Sequence, residues 1–371
     1  MIVDVEHKND ETHRQSFIIK DKKIPIIDIS SLISMSSCNK NCLKEIEKVC
    51  VETGFFGISH HGIAENTLNN LLKVAQDFFK QPTISKCRYQ IGLNGRHSGY
   101  VPFSERGLYS DETEQRFYEA FDISHELPMF DPDHLKGNIF FGPNNWPEIS
   151  EFKLVVDDYF HKMRHLSTVM VKAFEEILDM PQGYMLSKMN KPTSQLRLIH
   201  YAKRNVMPST TKTNMGAHTD YELFTILYTT AAGLQTQNLQ GKWVDVPVMD
   251  GILTINLGDM LEVWSNGKFK SNLHRVVDKG IERFSFPYFS SLDFETTVEP
   301  WIKKAKELEK PNYKSVVAGH HLLQQVCRDF SYLRTQIAEK SNPFLNGISL
   351  DENPYQYTVN SNLDEQKCCL Q

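Results

Sequence analysis

Two histidines and one carboxylate stand at a spacing that can chelate a cation: His218-Thr219-Asp220, and then His274 further along the chain. Such a set takes half of an octahedral Fe(II) and leaves half for a chelating co-substrate and for dioxygen. Residues i and i+2 diverge on a helix but point the same way at a strand edge, so the pair demands a β context. Glu222 to Tyr228 reads as a strand, and so does Leu273-His274-Arg275-Val276-Val277, from which His274 is expected to close the triad from across a barrel. Arg283-Phe284-Ser285 follows, placing Arg283 and Ser285 on one face of a strand and Phe284 and Phe286 on the other. A guanidinium offers a carboxylate two parallel donors, and a lone buried arginine is costly, so an inward Arg283 implies an anionic guest. Together these residues imply a non-haem Fe(II) oxygenase that consumes 2-oxoglutarate and O2.

His-x-Asp alone is close to noise in a chain with 14 histidines. The downstream histidine and the Arg-x-Ser lift it. The adjacent pairs His60-His61 and His320-His321 receive no metal role, and His200 is read as a packing or supporting group.

The elements that must position these residues follow from periodicity. Ile24 to Ile29 and Phe55 to Ile58 read as strands, and 41–53 and 64–80 as amphipathic helices ended by Gly54 and Pro82. Residues 92–145 look irregular, with 92–118 resembling a lid. Pro147 opens a long helical pattern that should end near Pro181 and support a sheet. From Leu196, short strands are expected at 196–201, 222–230, 233–237, 242–246, 252–256, 260–264, 272–277 and 282–289, punctuated by glycines. That spacing suggests a jelly roll or sandwich rather than βαβ units. Residues 314–340 turn helical again, and 341–371 are polar and expected to be loosely held.

A length of 371 residues with 40% hydrophobic content permits a large core. A formal charge of -5 with no basic stripe argues against a nucleic-acid partner. No run approaches the roughly 20 apolar residues of a membrane span. The charged N-terminus lacks a secretory apolar stretch. Cys38 and Cys42 have no second Cys or His pair at finger spacing, so reduced thiols in a cytoplasmic protein are expected. The terminal Cys368-Cys369-Leu370-Gln371 fits a prenylation pattern without a polybasic segment before it, and is read as fortuitous.

Ordered motifs then carry a resemblance. They are Ile24-Pro25-Ile26-Ile27-Asp28, Gly54-Phe55-Phe56, Asp77-Phe78-Phe79, Gly99-Tyr100-Val101-Pro102, Leu196-Arg197-Leu198, Gly233-Leu234-Gln235, Asn256-Leu257-Gly258-Asp259, Trp264-Ser265-Asn266-Gly267 and His274-Arg275-Val276. The chain resembles the isopenicillin N synthase-like family of Fe(II)/2-oxoglutarate dioxygenases from about Ile24 to Phe330. The resemblance implies an α+β protein with a mainly β core, a double-stranded β-helix wrapped by N-terminal helices and a long supporting helix. It divides the chain into a disordered tail (1–22), an N-terminal helical and strand region (23–190), a jelly-roll core (191–300), a C-terminal helical segment (301–345) and a polar tail (346–371).

The resemblance further implies Fe(II) on His218, Asp220 and His274, with Arg283, Ser285 and Tyr201 holding 2-oxoglutarate, and ascorbate in support. Ile199 and Ala202 depart from the family's usual Asn-x-Tyr-Pro around Tyr201. Tyr100, Phe103, Arg106, Phe117 and Phe330 are the substrate-contact candidates. The expected reaction hydroxylates, desaturates or cyclises a small, specialised metabolite and releases succinate and CO2. Two alternatives stand beside it. A 2-oxoglutarate-independent oxidase of the same fold would release no succinate, and a non-catalytic small-molecule receptor would bind ligand without metal or turnover.

Overall fold

The computed structural model describes residues 24–34, 39–103, 117–204, 213–302 and 311–350. Its main strands are β1 (Ile26–Asp28), β2 (Phe55–Ser59), β3 (Gly99–Val101), β4 (Tyr118–Ser124), β5 (Gln195–Tyr201), β6 (Thr213–His218), β7 (Phe224–Thr229), β8 (Leu234–Gln237), β9 (Trp243–Asp245), β10 (Leu253–Leu257), β11 (His274–Val277) and β12 (Arg283–Ser290). The larger sheet runs β1-β2-β10-β7-β12-β5-β4-β3 and the smaller β6-β11-β8-β9. Strands from before and after residue 190 therefore interleave in one sheet. The result is the mainly β, jelly-roll core flanked by helices that the sequence implies.

The helices that matter here are α1 (Lys40–Glu52), α2 (Glu65–Phe79), α3 (Phe152–Ile177), α4 (Asp259–Trp264), α5 (Ala318–Asp329) and α6 (Ser331–Glu339). In α3 the buried residues Val156, Tyr159, Met163, Leu166, Met170 and Phe174 recur every three or four positions, making one apolar stripe. That stripe lies behind the larger sheet. Phe160 meets Tyr288 edge-on at 5.4 Å, Phe174 meets Phe224 at 5.3 Å, and the Ser167 and Ser290 hydroxyls are 2.6 Å apart.

Strand alternation then decides which residues face which layer. In β12, Phe284, Phe286 and Tyr288 join the core shared with α3, while Arg283, Ser285, Pro287 and Phe289 line a cavity on the opposite face.

The structure corrects several expectations. Residues 260–264 belong to helix α4, not a strand; a short apolar run does not distinguish the two by periodicity. The supposedly irregular 92–145 contains β3 and β4. The Glu119 and Asp122 charges disguise β4, yet both are buried and paired, with Lys86 and Arg197. Strand β6 carries Asn and Gly, poor strand formers, and escapes the pattern. Helix α3 begins at Phe152 rather than Pro147. The 314–340 segment is two helices, broken where Phe330 adopts an extended backbone (φ -113°, ψ 122°). Residues 341–350 are packed rather than loose: Leu345 is buried, and the Ser349 carbonyl accepts from the Gln324 amide.

Candidate metal centre

His218 is the last residue of β6 and His274 the first of β11, and the two are paired directly in antiparallel register. His274 therefore arrives from the neighbouring strand of the smaller sheet, not from across the barrel. Their ring centroids are 4.2 Å apart. Asp220 sits just beyond β6, with its Oδ1 3.4 Å from His274 Nε2 and 3.8 Å from His218 Nε2. Both Nε2 atoms and one carboxylate oxygen lie within 4.8 Å of one another.

The back of each ligand is held. The Nδ1 of His218 lies 2.9 Å from the Gly216 carbonyl, and that of His274 lies 3.3 Å from the Asn272 carbonyl. Each ring thus donates its Nδ1 proton to the carbonyl two residues earlier and presents an Nε2 lone pair to the shared centre. The other Asp220 oxygen, Oδ2, accepts from the Thr225 hydroxyl and from Asn256 Nδ2 at 2.6 Å. Burial by itself would raise the Asp220 carboxyl, but the His274 and His218 imidazoles and the Thr225 hydroxyl hold it well below the usual carboxylate range. Three lone-pair donors facing one point, with their other atoms satisfied, are the donor set that suits a divalent cation.

Asn256-Leu257-Gly258-Asp259 explains how the metal loop is placed. The amides of Gly258, Asp259 and Met260 donate to the carbonyls of Leu223, Asp220 and Glu222. A Cβ on Gly258 would fall 2.3 Å from the Glu222 carbonyl oxygen, so only glycine lets α4 begin this close to the ligands.

At the other end of the same cavity, of about 460 Å³, Arg283 lies in register with Tyr201 on β5. Its guanidinium rests over the Tyr201 ring at 4.7 Å, and its Nε donates to the Ala231 carbonyl at 3.0 Å. Nη1 is buried with no hydrogen-bond partner among the described residues. Burial pulls the guanidinium below its ordinary value and pushes the Tyr201 hydroxyl up to about 12, each partly offset by the other. An arginine 3% exposed and without a bonded carboxylate among the described residues fits an anionic guest such as the distal carboxylate of 2-oxoglutarate. Ser285 lines the cavity beside it.

The substrate candidates separate. Phe330 lines the cavity. Tyr100 does not: it is fully buried against Phe78, and its hydroxyl donates to Glu119 at 2.6 Å. Its neighbour Val101, on the opposite face of β3, reaches the cavity instead. Phe103 and Phe117 do not line the cavity either, Phe117 lying under the Arg204 guanidinium. Arg106 lies outside the described residues. His200 is a packing residue behind the sheet, stacked on Phe284 and bonded to Glu119. Sequence reasoning did not single out Thr225, or His97, which also lines the cavity.

Comparison with known proteins matches residues 192–291 to the 2OG-Fe(II) oxygenase superfamily, and residues 24–149 to the non-haem dioxygenase N-terminal region named for morphine synthesis. The homoarginine-6-hydroxylase 2-ODD-C23 of Glycine max is 30% identical over 331 residues, 83% of this chain and 97% of that protein. The chain belongs to the Fe(II)/2-oxoglutarate-dependent dioxygenase family. This dioxygenase is also 29% identical to the 1-aminocyclopropane-1-carboxylate oxidase of Dictyostelium mucoroides, over 72% of this chain and 81% of that one. Its fold is that of the full-length Neurospora crassa T7H solved with alpha-KG, with a TM-score of 0.72, 22% identity, and coverage of 84% of this chain and 99% of that one. The dioxygenase uses Fe(II) and 2-oxoglutarate to oxidise a small molecule. No helix among its described residues is long and apolar enough to cross a membrane.

Proposed function

We propose that His218, Asp220 and His274 hold the Fe(II), that Arg283, Ser285 and Tyr201 hold the distal carboxylate of 2-oxoglutarate, and that the oxidation hydroxylates, desaturates or cyclises a small specialised metabolite. The reading rests above all on three ligand atoms within 4.8 Å of one another, each pinned from behind. Bound together there, Fe(II) and 2-oxoglutarate would supply the dioxygen-activating chemistry, with 2-oxoglutarate and O2 converted to succinate and CO2 as the substrate is oxidised.

The chain's own contribution is placement and protection. Gly216 and Asn272 fix the histidine tautomers, and Thr225 with Asn256 turns one Asp220 oxygen away from the centre so that the other faces it. Arg283 aligns the co-substrate by its charge, while Leu227, Leu234 and Val276 give that end an apolar wall that keeps water out. A cytoplasmic setting belongs to this reading, with the free thiols of Cys42, Cys50 and Cys327 kept reduced there.

The test is succinate released in response to members of a metabolite panel, with Fe(II) and 2-oxoglutarate supplied. His218→Ala should lose both iron binding and turnover while keeping the wild-type circular dichroism spectrum. Wild-type turnover in that variant would sink the ligand assignment.

A further inference from the structure

Strands β5 and β12 each send four alternate side chains into the cavity. From β5 these are Gln195, Arg197, Ile199 and Tyr201. Tyr201 pairs with Arg283 and Gln195 with Phe289, so Arg197 stands four residues, roughly 13 Å, from the co-substrate end. Phe289 is also in register with Thr225, the residue that holds Asp220. From Thr225 to Gln195 is two strand spacings, roughly 10 Å. Arg197 is thus a near neighbour of the metal level, at the end away from Arg283.

The polar groups at this end are built in, not incidental. Arg197 gives Nε and Nη2 to Asp122 at 2.7 and 2.8 Å, which leaves Nη1 outside that fork. Its guanidinium lies 5.5 Å from the centre of the Phe330 ring. His97, only 2% exposed, stands edge-on to the same ring at 4.5 Å. Its Nδ1 is 2.8 Å from the Tyr332 hydroxyl, so Nε2 is the nitrogen left for a ligand. Burial, reinforced by the neighbouring Arg197 and Arg96 guanidinium groups, pushes His97 down to about 3, and the ring is neutral at physiological pH.

Two carboxylates act on Arg197 at this end, Asp122 and Asp329. Asp122 is committed to Arg197, and Asp329 accepts the Tyr221 hydroxyl at 3.0 Å. Arg96, wholly buried, gives its hydrogen bonds among the described residues to the neutral oxygens of Ser124, His125 and Phe140, with the Glu126 charge acting on it as well. Glu222 and Asp259 also line the cavity, but on its metal side.

We propose that Arg197 and His97 form the anchor for a carboxylate on the substrate, which is therefore a small carboxylic acid oxidised at a carbon a few bonds from that group. The proposal rests on the reading of the Arg283 end as the 2-oxoglutarate site. Phe330, brought to the wall by the break between α5 and α6, stacks on the anchor and sets its depth.

The test loads the full-length protein with Fe(II) and saturating 2-oxoglutarate without oxygen, so that the Arg283 end is filled. Calorimetry then compares short-chain carboxylic acids with their primary amides. At least one acid should bind about tenfold or more tighter than its amide, the scale of one charge-assisted hydrogen bond. The double variant Asp122→Asn, Arg197→Gln removes the ion pair without stranding a charge, and it should lose the preference while binding 2-oxoglutarate as before. His97→Ala, which leaves that pair intact, should weaken acids more than amides. The proposal fails if no acid outbinds its amide in the wild type, or if the preference survives in the double variant. Failure of 2-oxoglutarate itself to bind the wild type would instead overturn the co-substrate assignment.

Discussion

The strand arginines Arg197 on β5 and Arg283 on β12 line one cavity from opposite ends, and the fold treats them differently. Among the described residues Arg283 has no bonded carboxylate and a buried Nη1 without a partner, whereas Arg197 is locked by Nε and Nη2 to a fully buried Asp122. On the proposed reading the first is left charged for a guest that comes and goes. The second is part of the framework and has one nitrogen to spare for recognition. Burial alone does not separate these roles; the partner does.

That contrast can be broken most forcefully through stability. Asp122→Ala should cost about 3–5 kcal/mol, because it strands Arg197 in the interior. Arg283→Gln should cost the ligand-free protein less, since it loses the bond to the Ala231 carbonyl and the contact with Tyr201 but breaks no ion pair among the described residues. Chemical denaturation of the two variants measures the difference, and equal losses would erase the distinction.

The next effect is on binding. Arg283→Gln should weaken 2-oxoglutarate by roughly 10- to 150-fold, the 1.5–3 kcal/mol of a hydrogen bond to a charged group. Binding of carboxylic acids at the Arg197 end, in protein already saturated with 2-oxoglutarate, should stay at the wild-type level. The smallest effect lies between the two ends. Asn256→Ala removes a donor to Asp220 Oδ2 and should lower Fe(II) affinity by about 10- to 100-fold, without a preference for either end. Fe(II) titration followed by 2-oxoglutarate titration separates these outcomes.

The difference between the ends also explains what could be read from the sequence. The metal and co-substrate residues fall in short contiguous motifs, so strand alternation alone put Arg283 and Ser285 on one face and Phe284 and Phe286 on the other. The Arg197 end gathers His97, Arg197 and Phe330 from three distant stretches, and no local pattern joins them. Tyr100 was a reasonable substrate candidate by motif. Its place is decided by which face of β3 meets Phe78, and the sequence does not state that. Strand β4 is hidden for a related reason: Glu119 and Asp122 look like surface charges until Lys86 and Arg197 appear opposite them. His274 was right in kind but wrong in route, because β6 is too polar to announce itself as the neighbouring strand.

The direct pairing of His218 with His274 also bears on assembly. A slip of one residue between β6 and β11 would turn one imidazole to the other side of the smaller sheet and dismantle the chelate. Iron held by the proposed ligands would therefore be a rivet through two adjacent strands as well as a reagent, and its affinity would add to folding by mass action. On that reading, loading the metal would check the register of β6 against β11.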